Sequence, residues 1–442
     1  MNVIITKAAE EAREKILACE RYIWNNPETG FREEKTSEYL KKAFEEIGYD
    51  VIKPQNIPGF YTVLDTGKPG PTVLVLAEMD ALLCDTHPEA DKRTGAVHCC
   101  GHHAQCAALL GVAYILKERG VTEQLCGKIK LCAVPAEELI EIEYRSALRD
   151  KGRIRYFGGK AEFMYRGYFD DVDLAFMVHV SEERASFYAT QGGNGCLAKK
   201  IAYQGLSVHA AAPKNGINAL YAAALGLQAV NSLRETFEEQ DVVRVHPIIT
   251  KGGMAVNAIP DDVRVETFVR GNTITVMDAV SRKVDRAFIG AALSLGAQIN
   301  IADCGGYLPL LNDEGFLNVF EDAAIACGHS FTRRGTWSAG STDMGDLSSV
   351  MPVIQPFVGG ATGIAHGNNY YIEDAQLACI ENAKVQVMTL IKLLSDEAKT
   401  AMGIIGAYAP VFKTKADYFA WMDAHYRQGD RIAYGDTGAV IR

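Results

Sequence analysis

Four short stretches, TVLVLA (72–77), IKLCAV (129–134), LAFMV (174–178) and VIQPFV (353–358), are predominantly apolar and are separated by segments of helical length. A strand exposed on one face alternates polar and apolar residues, so apolar runs of this kind predict strands buried on both faces. AALLGVAYILKE (107–118), which ends near Gly120, and LACIENAKVQVMTLIKLL (377–394) read as helices. The alternation predicts an α/β fold, a mostly parallel sheet covered by helices on both faces. Polar residues follow each run: Glu78 and Asp80 after the first, Pro135-Ala136-Glu137-Glu138 after the second, His179 after the third and His366 soon after the fourth. Ligands bind open α/β sheets at the carboxyl ends of the strands, so these residues are expected to line one crevice.

Residues 191–310 follow another pattern. VVRVHPIITKGG and DDVRVETFVRG alternate with period two, placing Val263, Val265, Thr267 and Val269 on one face and Arg264, Glu266, Phe268 and Arg270 on the other. Each accompanies a helix-length segment, which predicts an inserted α+β domain with one helix-covered face and one open face. The chain of 442 residues exceeds the usual single-core limit of roughly 250–300 residues. The expected division is a catalytic domain in two parts, 1–190 and 311–442, around an insertion at 191–310. The second part should close with a helix capped by Thr414, stopped at Gly429 and apolar along Phe419, Met422 and Tyr426.

A formal net charge of −10 disfavours nucleic acid or an anionic membrane as partner. The N-terminal segment is a charged amphipathic helix instead of an apolar signal core, and no stretch approaches the roughly 20 apolar residues of a membrane span. A cytoplasmic protein is expected, with its 11 cysteines reduced.

The densest chemistry lies in HCCGHHAQC (98–106). Cys100 and His102, two residues apart, are suitable ligands for one divalent transition metal. An isolated C-x-H is weak evidence, but this one lies between a strand ending in Glu-Met-Asp and one ending in Pro-Ala-Glu-Glu. Buried carboxylates there require a charged partner or a metal.

The ordered motifs NNPETGFREEKTSEYLKKAFEEIGYDV, AEMDAL, CGHH, VPAEE, GGKAEFMYRGYFDDVDLAFMVHV, GLSVHAAAPKNGINAL, KGGMAVNAIPDDVRVETFVRG, GSTDMGDLSSVMP and HGNNYYIED resemble those of M20-type metal-dependent amidohydrolases. The similar branch holds aminoacyl amidohydrolases and p-aminobenzoyl-glutamate hydrolases. The resemblance implies Cys100, His102, Glu138, His179 and His366 as metal ligands, Glu137 as general base and Asp80 as a carboxylate orienting a ligand. The cofactor it implies is one or two divalent ions, Mn or Zn. The insertion would be a lid and dimerisation domain, a four-stranded sheet with two helices, supplying His209 to the reacting group, in many members from a partner subunit. Asn257 and Arg270 would lie near a small carboxylate-bearing substrate. The implied partnership is a homodimer or higher homo-oligomer.

The chemistry agrees with that assignment. A bound metal lowers the pKa of water toward about 7, and a neighbouring carboxylate can then take a proton and return it to the departing nitrogen. Successive side chains of extended backbone point apart, so Glu137 and Glu138 can divide these tasks.

Two departures stand out. His103 and Gln105 occupy positions where the family often has Asp and His. Residues 139–157, LIEIEYRSALRDKGRIRYF, form a longer segment than the branch normally has and carry Arg145, Arg149, Lys151, Arg153 and Arg155. The segment reads either as a solvated hairpin or as a lid over the metal whose arginines grip a planar acid. Amide hydrolysis of an N-acyl amino acid, dipeptide or aryl-amide is therefore expected. The alternative is hydrolytic deamination of an aromatic amino acid such as a nitroanthranilate. A non-catalytic binding protein is disfavoured by the complete ligand set. Asp343 in GSTDMGD is expected either at the site or as a helix cap.

Overall fold

The computed structural model describes residues 1–435 and 438–442. Its central sheet has the strand order Phe60–Asp65, Lys128–Val134, Thr72–Glu78, Leu174–Phe176, Val353–Ile354. The first pair is antiparallel and the others are parallel. Alternate residues of each strand enter different cores: Val73, Val75, Ile129 and Leu131 pack on one side, Leu74, Leu76, Cys132 and Val134 on the other. Burial on both faces is why these runs carry few polar residues. Helices His102–Leu116 and Asn382–Leu394 belong to the first core and helix Gly159–Tyr165 to the second. The fold is α/β with a mostly parallel, doubly covered sheet.

The last apolar run is not one strand. Val353–Ile354 completes the central sheet, whereas Phe357–Val358 pairs with His179–Val180 in a separate sheet. Pro356 lies at the break and has no N–H to continue a ladder.

A second, antiparallel sheet has the order Arg244–Lys251, Asp262–Gly271, Gly195–Gln204, Gln298–Tyr307, Tyr426–Asp430. Helices Ala219–Ser232 and Ile274–Leu295 contribute to a core with Ile201, Tyr203, Val263, Val265, Val269 and Ile301. The sheet has five strands where the family resemblance implied four, because the C-terminal region adds an edge strand. The terminal helix is correspondingly shorter than expected. Thr414 does form a capping box with Asp417, but the helix is Lys415–Ala424, and Gly429 lies within the added strand. Nor is the other sheet face open. Lys200 Nζ lies 2.8 Å from Ser146 Oγ, Arg264 pairs with Glu143 at 2.9 Å, and Glu266, Phe268 and Arg270 of that face line a cavity shared with the central sheet. Among the described residues no helix is long and apolar enough to cross a membrane.

Candidate metal centre

The crevice at the carboxyl ends of the central strands gathers Cys100, His102, Glu137, Glu138, His179 and His366, with Asp80 beside them. Gly101 turns the chain into helix His102–Leu116 with φ +99, and a Cβ there would lie 2.5 Å from the Tyr370 hydroxyl oxygen. Only glycine makes so tight a turn cheaply, and it presents Cys100 and His102 to the same space. His102 Nδ1 lies 2.8 Å from the Asp80 carbonyl oxygen and 3.3 Å from the Asp80 carboxylate. Its Nε2 is buried, 3.2 Å from Glu78 Oε2 but without a well-formed hydrogen bond. His179 Nδ1 lies 2.7 Å from the Val180 carbonyl oxygen, leaving Nε2 3.5 Å from Cys100 Sγ. Fixing one ring nitrogen in this way aims the other at a ligand. Burial and the neighbouring His102 push His179 down to about 4, which keeps it neutral, the form that binds metals.

Glu137 and Glu138 follow strand Lys128–Val134 through Ala136, a non-glycine residue at φ +61. Such a conformation costs of order 1–3 kcal/mol and persists where surroundings enforce it. Here Glu33 accepts from the Ala136 N–H at 2.8 Å, Asp80 accepts from the Glu138 N–H at 2.8 Å, and Tyr307 donates to the Glu137 carbonyl. His366, also left-handed at φ +63, lies with Nε2 3.4 Å from Glu138 Oε1.

Donor atoms thus converge in overlapping groups: Cys100, His102 and His179; Cys100, Glu138 and His366; and His102, Glu137 and Glu138. Within each group all atoms lie within 4.8 Å of one another. Glu138 Oε1 and His102 Nε2 are buried and make no well-formed hydrogen bond, with His366 Nε2 3.4 Å from the first and Glu78 Oε2 3.2 Å from the second. Burial, with the charges of Glu78 and Glu138, pushes Glu137 well above the usual carboxylate range, and burial likewise pushes up the Cys100 thiol. Soft and hard donors crowded together in this way, with burial opposing charge on Glu137 and Cys100, need a cation, and the set, in two groups that both contain Cys100, fits one or two divalent ions.

The centre lies in a cavity of about 590 Å³. Leu83, Leu139, Ile140, Phe268 and Phe357 contribute apolar wall, while Arg270, Ser341 and Gln355 contribute polar groups. Arg270 has no carboxylate within 4.0 Å among the described residues, and its guanidinium lies 5.5 Å from the Phe268 ring centroid. His209 and Asn257 are not brought to this cavity. They are exposed neighbours on the inserted domain, joined through the His209–Ala258 bridge and the Ala210 N–H donating to the Asn257 carbonyl.

Residues 139–157 form neither a hairpin nor an arginine-bearing lid. Leu139, Ile140, Glu141 and Ile142 line the cavity, and helix Ile142–Asp150 follows. Its basic side chains point elsewhere: Arg145 is 1% exposed within the protein, Arg149 stacks 3.7 Å over Tyr426, Arg153 donates to the Asn56 carbonyl and Arg155 pairs with Asp423.

Sequence reasoning missed a fully buried charge cluster beside Glu137. Lys160 Nζ lies 2.5 Å from Glu78 Oε1 and also contacts Asp343 Oδ1, all three side chains being inaccessible to solvent. Asp343 precedes helix Met344–Ser348 but makes no side-chain cap; it accepts instead from the Lys160 N–H and ammonium. Burial opposes charge on both carboxyls, yet Lys160 and His102 hold Glu78 below its ordinary value, whereas Asp343 is pushed up to about 6. The sequence signals were Glu78 at the end of an apolar run and Asp343 in GSTDMGD; Lys160, which joins them, carried none.

Comparisons with known proteins agree with this architecture. The family description Peptidase family M20/M25/M40 matches residues 74–389. The Xaa-Arg dipeptidase of Mus musculus is 27% identical over 419 residues, covering 90% of each chain. N-acetyl-L-cysteine deacetylase of Bacillus subtilis (strain 168) is 28% identical over 322 residues, 70% of this chain and 72% of that one. The solved structure of a dinuclear metal-binding M20 peptidase from Bacillus subtilis matches with a TM-score of 0.63 at 21% identity, covering 86% of this chain and 98% of that one.

Proposed function

The chain belongs to peptidase family M20/M25/M40, whose relatives here are hydrolases of C–N bonds, and on that premise we propose that it hydrolyses the amide bond of an N-acyl amino acid, dipeptide or aryl-amide bearing a free carboxylate. The observation that carries this reading is the pair of donor groups sharing Cys100, with Glu137 beside them and Arg270 in the same cavity.

Cys100, His102, Glu138, His179 and His366 would hold one or two Mn or Zn ions. Such an ion supplies Lewis acidity, which polarises a carbonyl and lowers the pKa of water toward about 7. Glu137, whose carboxyl burial and the neighbouring Glu78 and Glu138 push up, stands beside these donors as the general base. It takes a proton from the attacking water and delivers it to the departing nitrogen as the C–N bond breaks. Asp80 orients the His102 ring and the Glu138 amide. Arg270, without a carboxylate within 4.0 Å among the described residues, binds the substrate carboxylate as a fork, while the apolar wall accommodates the acyl or aryl group.

Aryl-amine hydrolysis rested on arginines of residues 145–155 facing the substrate, and none of them lines the cavity, so amide cleavage is preferred. A dimer completes the proposal. His209 is exposed beside Met254 and Val256, 88% and 102% exposed, and Leu206, 52% exposed. This apolar surface suits a second copy of the chain that receives His209 at its own centre. The test is a screen of N-acyl amino acids, dipeptides and aminobenzoates after chelation and re-addition of Mn or Zn. Equimolar amine and carboxylic acid supports amide hydrolysis; ammonia without an acid fragment refutes it.

A further inference from the structure

We propose that Arg145 is a positioning residue for this reaction, its buried guanidinium clamping the backbone on both sides of Glu137 and so fixing the turn that carries Glu137 and Glu138. The inference rests on the reading of those glutamates as base and ligand. It gives residues 139–157 a role other than a lid: they form a brace behind the catalytic turn.

The bonds around Glu137 define the clamp. Arg145 Nη1 donates to the Ala136 carbonyl at 3.3 Å and to the Phe157 carbonyl at 2.5 Å, and Nη2 donates to the Glu138 carbonyl. With Glu33 on the Ala136 amide, Tyr307 on the Glu137 carbonyl and Asp80 on the Glu138 amide, Arg145 completes the fixation of all three carbonyls in a turn that starts from a left-handed alanine. One rigid fork spans the two carbonyls flanking Glu137, which a flexible ammonium would do less well.

Space is reserved for this guanidinium. A Cβ on Gly30 would stand 2.4 Å from Arg145 Nη2 and 3.0 Å from Ala136 Cα. Arg145 is 1% exposed and has no carboxylate within 4.0 Å among the described residues. A buried cation matched chiefly to carbonyls is a costly way to fill a core that apolar side chains fill more cheaply; orientation of the carbonyls is what it adds. Its helix is anchored through its first half. Glu141, immediately before the helix, pairs with Arg32 at 2.5 Å, while Ser146 and Glu143 meet Lys200 and Arg264 of the second sheet.

The test compares Arg145→Met, Arg145→Lys and Gly30→Ala with Arg153→Met, which alters an exposed arginine outside the clamp. Hydrogen exchange of metal-free protein should show the Ala136–Glu138 amides at least about tenfold faster in Arg145→Met, with strand Lys128–Val134 and the Arg153→Met turn unchanged. Mn²⁺ affinity by calorimetry should fall at least about tenfold, less in Arg145→Lys, and kcat should fall with KM nearly constant. Gly30→Ala displaces the fork without removing it and should shift exchange in the same direction, so the idea stays testable if Arg145→Met does not fold. Unchanged turn exchange, or equal acceleration in turn and strand, overturns the clamp. A parent protein that binds neither Mn²⁺ nor Zn²⁺ overturns the metal reading instead, while the exchange comparison still decides the clamp.

Discussion

Replacing Lys160 with Met is the sharpest test of the electrostatics beneath the candidate centre. Met retains most of the stem and removes the ammonium, leaving Glu78 and Asp343 buried, close to each other and to Glu137. All three partners of the ion cluster are fully buried, so solvent screening does not soften the loss. Removing one partner of a buried pair typically costs about 3–5 kcal/mol. Unfolding entropy of about 2.1 cal/mol/K per residue gives about 0.9 kcal/mol/K for 442 residues, hence a fall in Tm of about 3–5 °C by calorimetry of chelated protein at pH 8. Without Lys160 burial is opposed less at both carboxyls, so Glu78 rises from below its ordinary value and Asp343 rises further from about 6. A carboxyl with a raised folded pKa binds more protons folded than unfolded, so its destabilising effect appears as pH rises through the folded value and fades in acid. The deficit should therefore shrink to less than about half at pH 5, and adding Asp343→Asn should recover part of it at pH 8. A variant Tm within about 1 °C of the parent at pH 8, or a deficit that grows on acidification, would refute this account.

Three further outcomes are expected. Glu137→Gln should keep its metal but lose at least roughly 100-fold in turnover, whereas Glu138→Ala should lose metal affinity; equal metal loss in both variants contradicts the division of roles. Arg270→Met should raise KM more than it lowers kcat, with kcat/KM falling about 10- to 100-fold, the worth of a charge-assisted fork of roughly 1.5–3 kcal/mol, and unchanged kinetics would remove Arg270 from the substrate site. Mixing inactive Glu137→Gln and His209→Ala subunits should restore activity if each chain's His209 serves its partner. Verified mixed dimers without activity would confine His209 to its own chain or leave it without a role.

The features legible in the sequence were those set by local periodicity. Unbroken apolar runs require burial on both faces, and the carboxyl-end rule then places Asp80, Glu137, Glu138 and His179 together before any distance is known. The break in the last run was missed because apolarity alone was read there, although Pro356 cannot donate to a ladder. Side-chain pairing across the chain has no such periodic signature. Nothing in GGKAEFM distinguishes Lys160 from a solvated helix residue, because its partners Glu78 and Asp343 are 82 and 183 positions away. Arg145 was one of five basic residues in a run, and composition cannot tell the one that turns inward from those that remain near the surface.

The two departures near the metal motif can be understood through the same buried charges. His103 Nε2 lies 3.2 Å from Glu20 Oε1, with both side chains almost inaccessible, so an aspartate at that position would place a second carboxylate against Glu20 in low dielectric. Gln105 Nε2 donates to Glu78 Oε2 at 3.2 Å, on the carboxylate whose other oxygen meets Lys160. A histidine there would either spend a neutral ring on one hydrogen bond or bring another cation to a carboxylate already paired. His103 answers Glu20, and Gln105 completes the Glu78–Lys160–Asp343 cluster without changing its charge. Exchanging either position alone for the family's usual residue should disturb the charge network more than the metal ligands, because neither His103 nor Gln105 belongs to the donor groups formed by Cys100, His102 and His179.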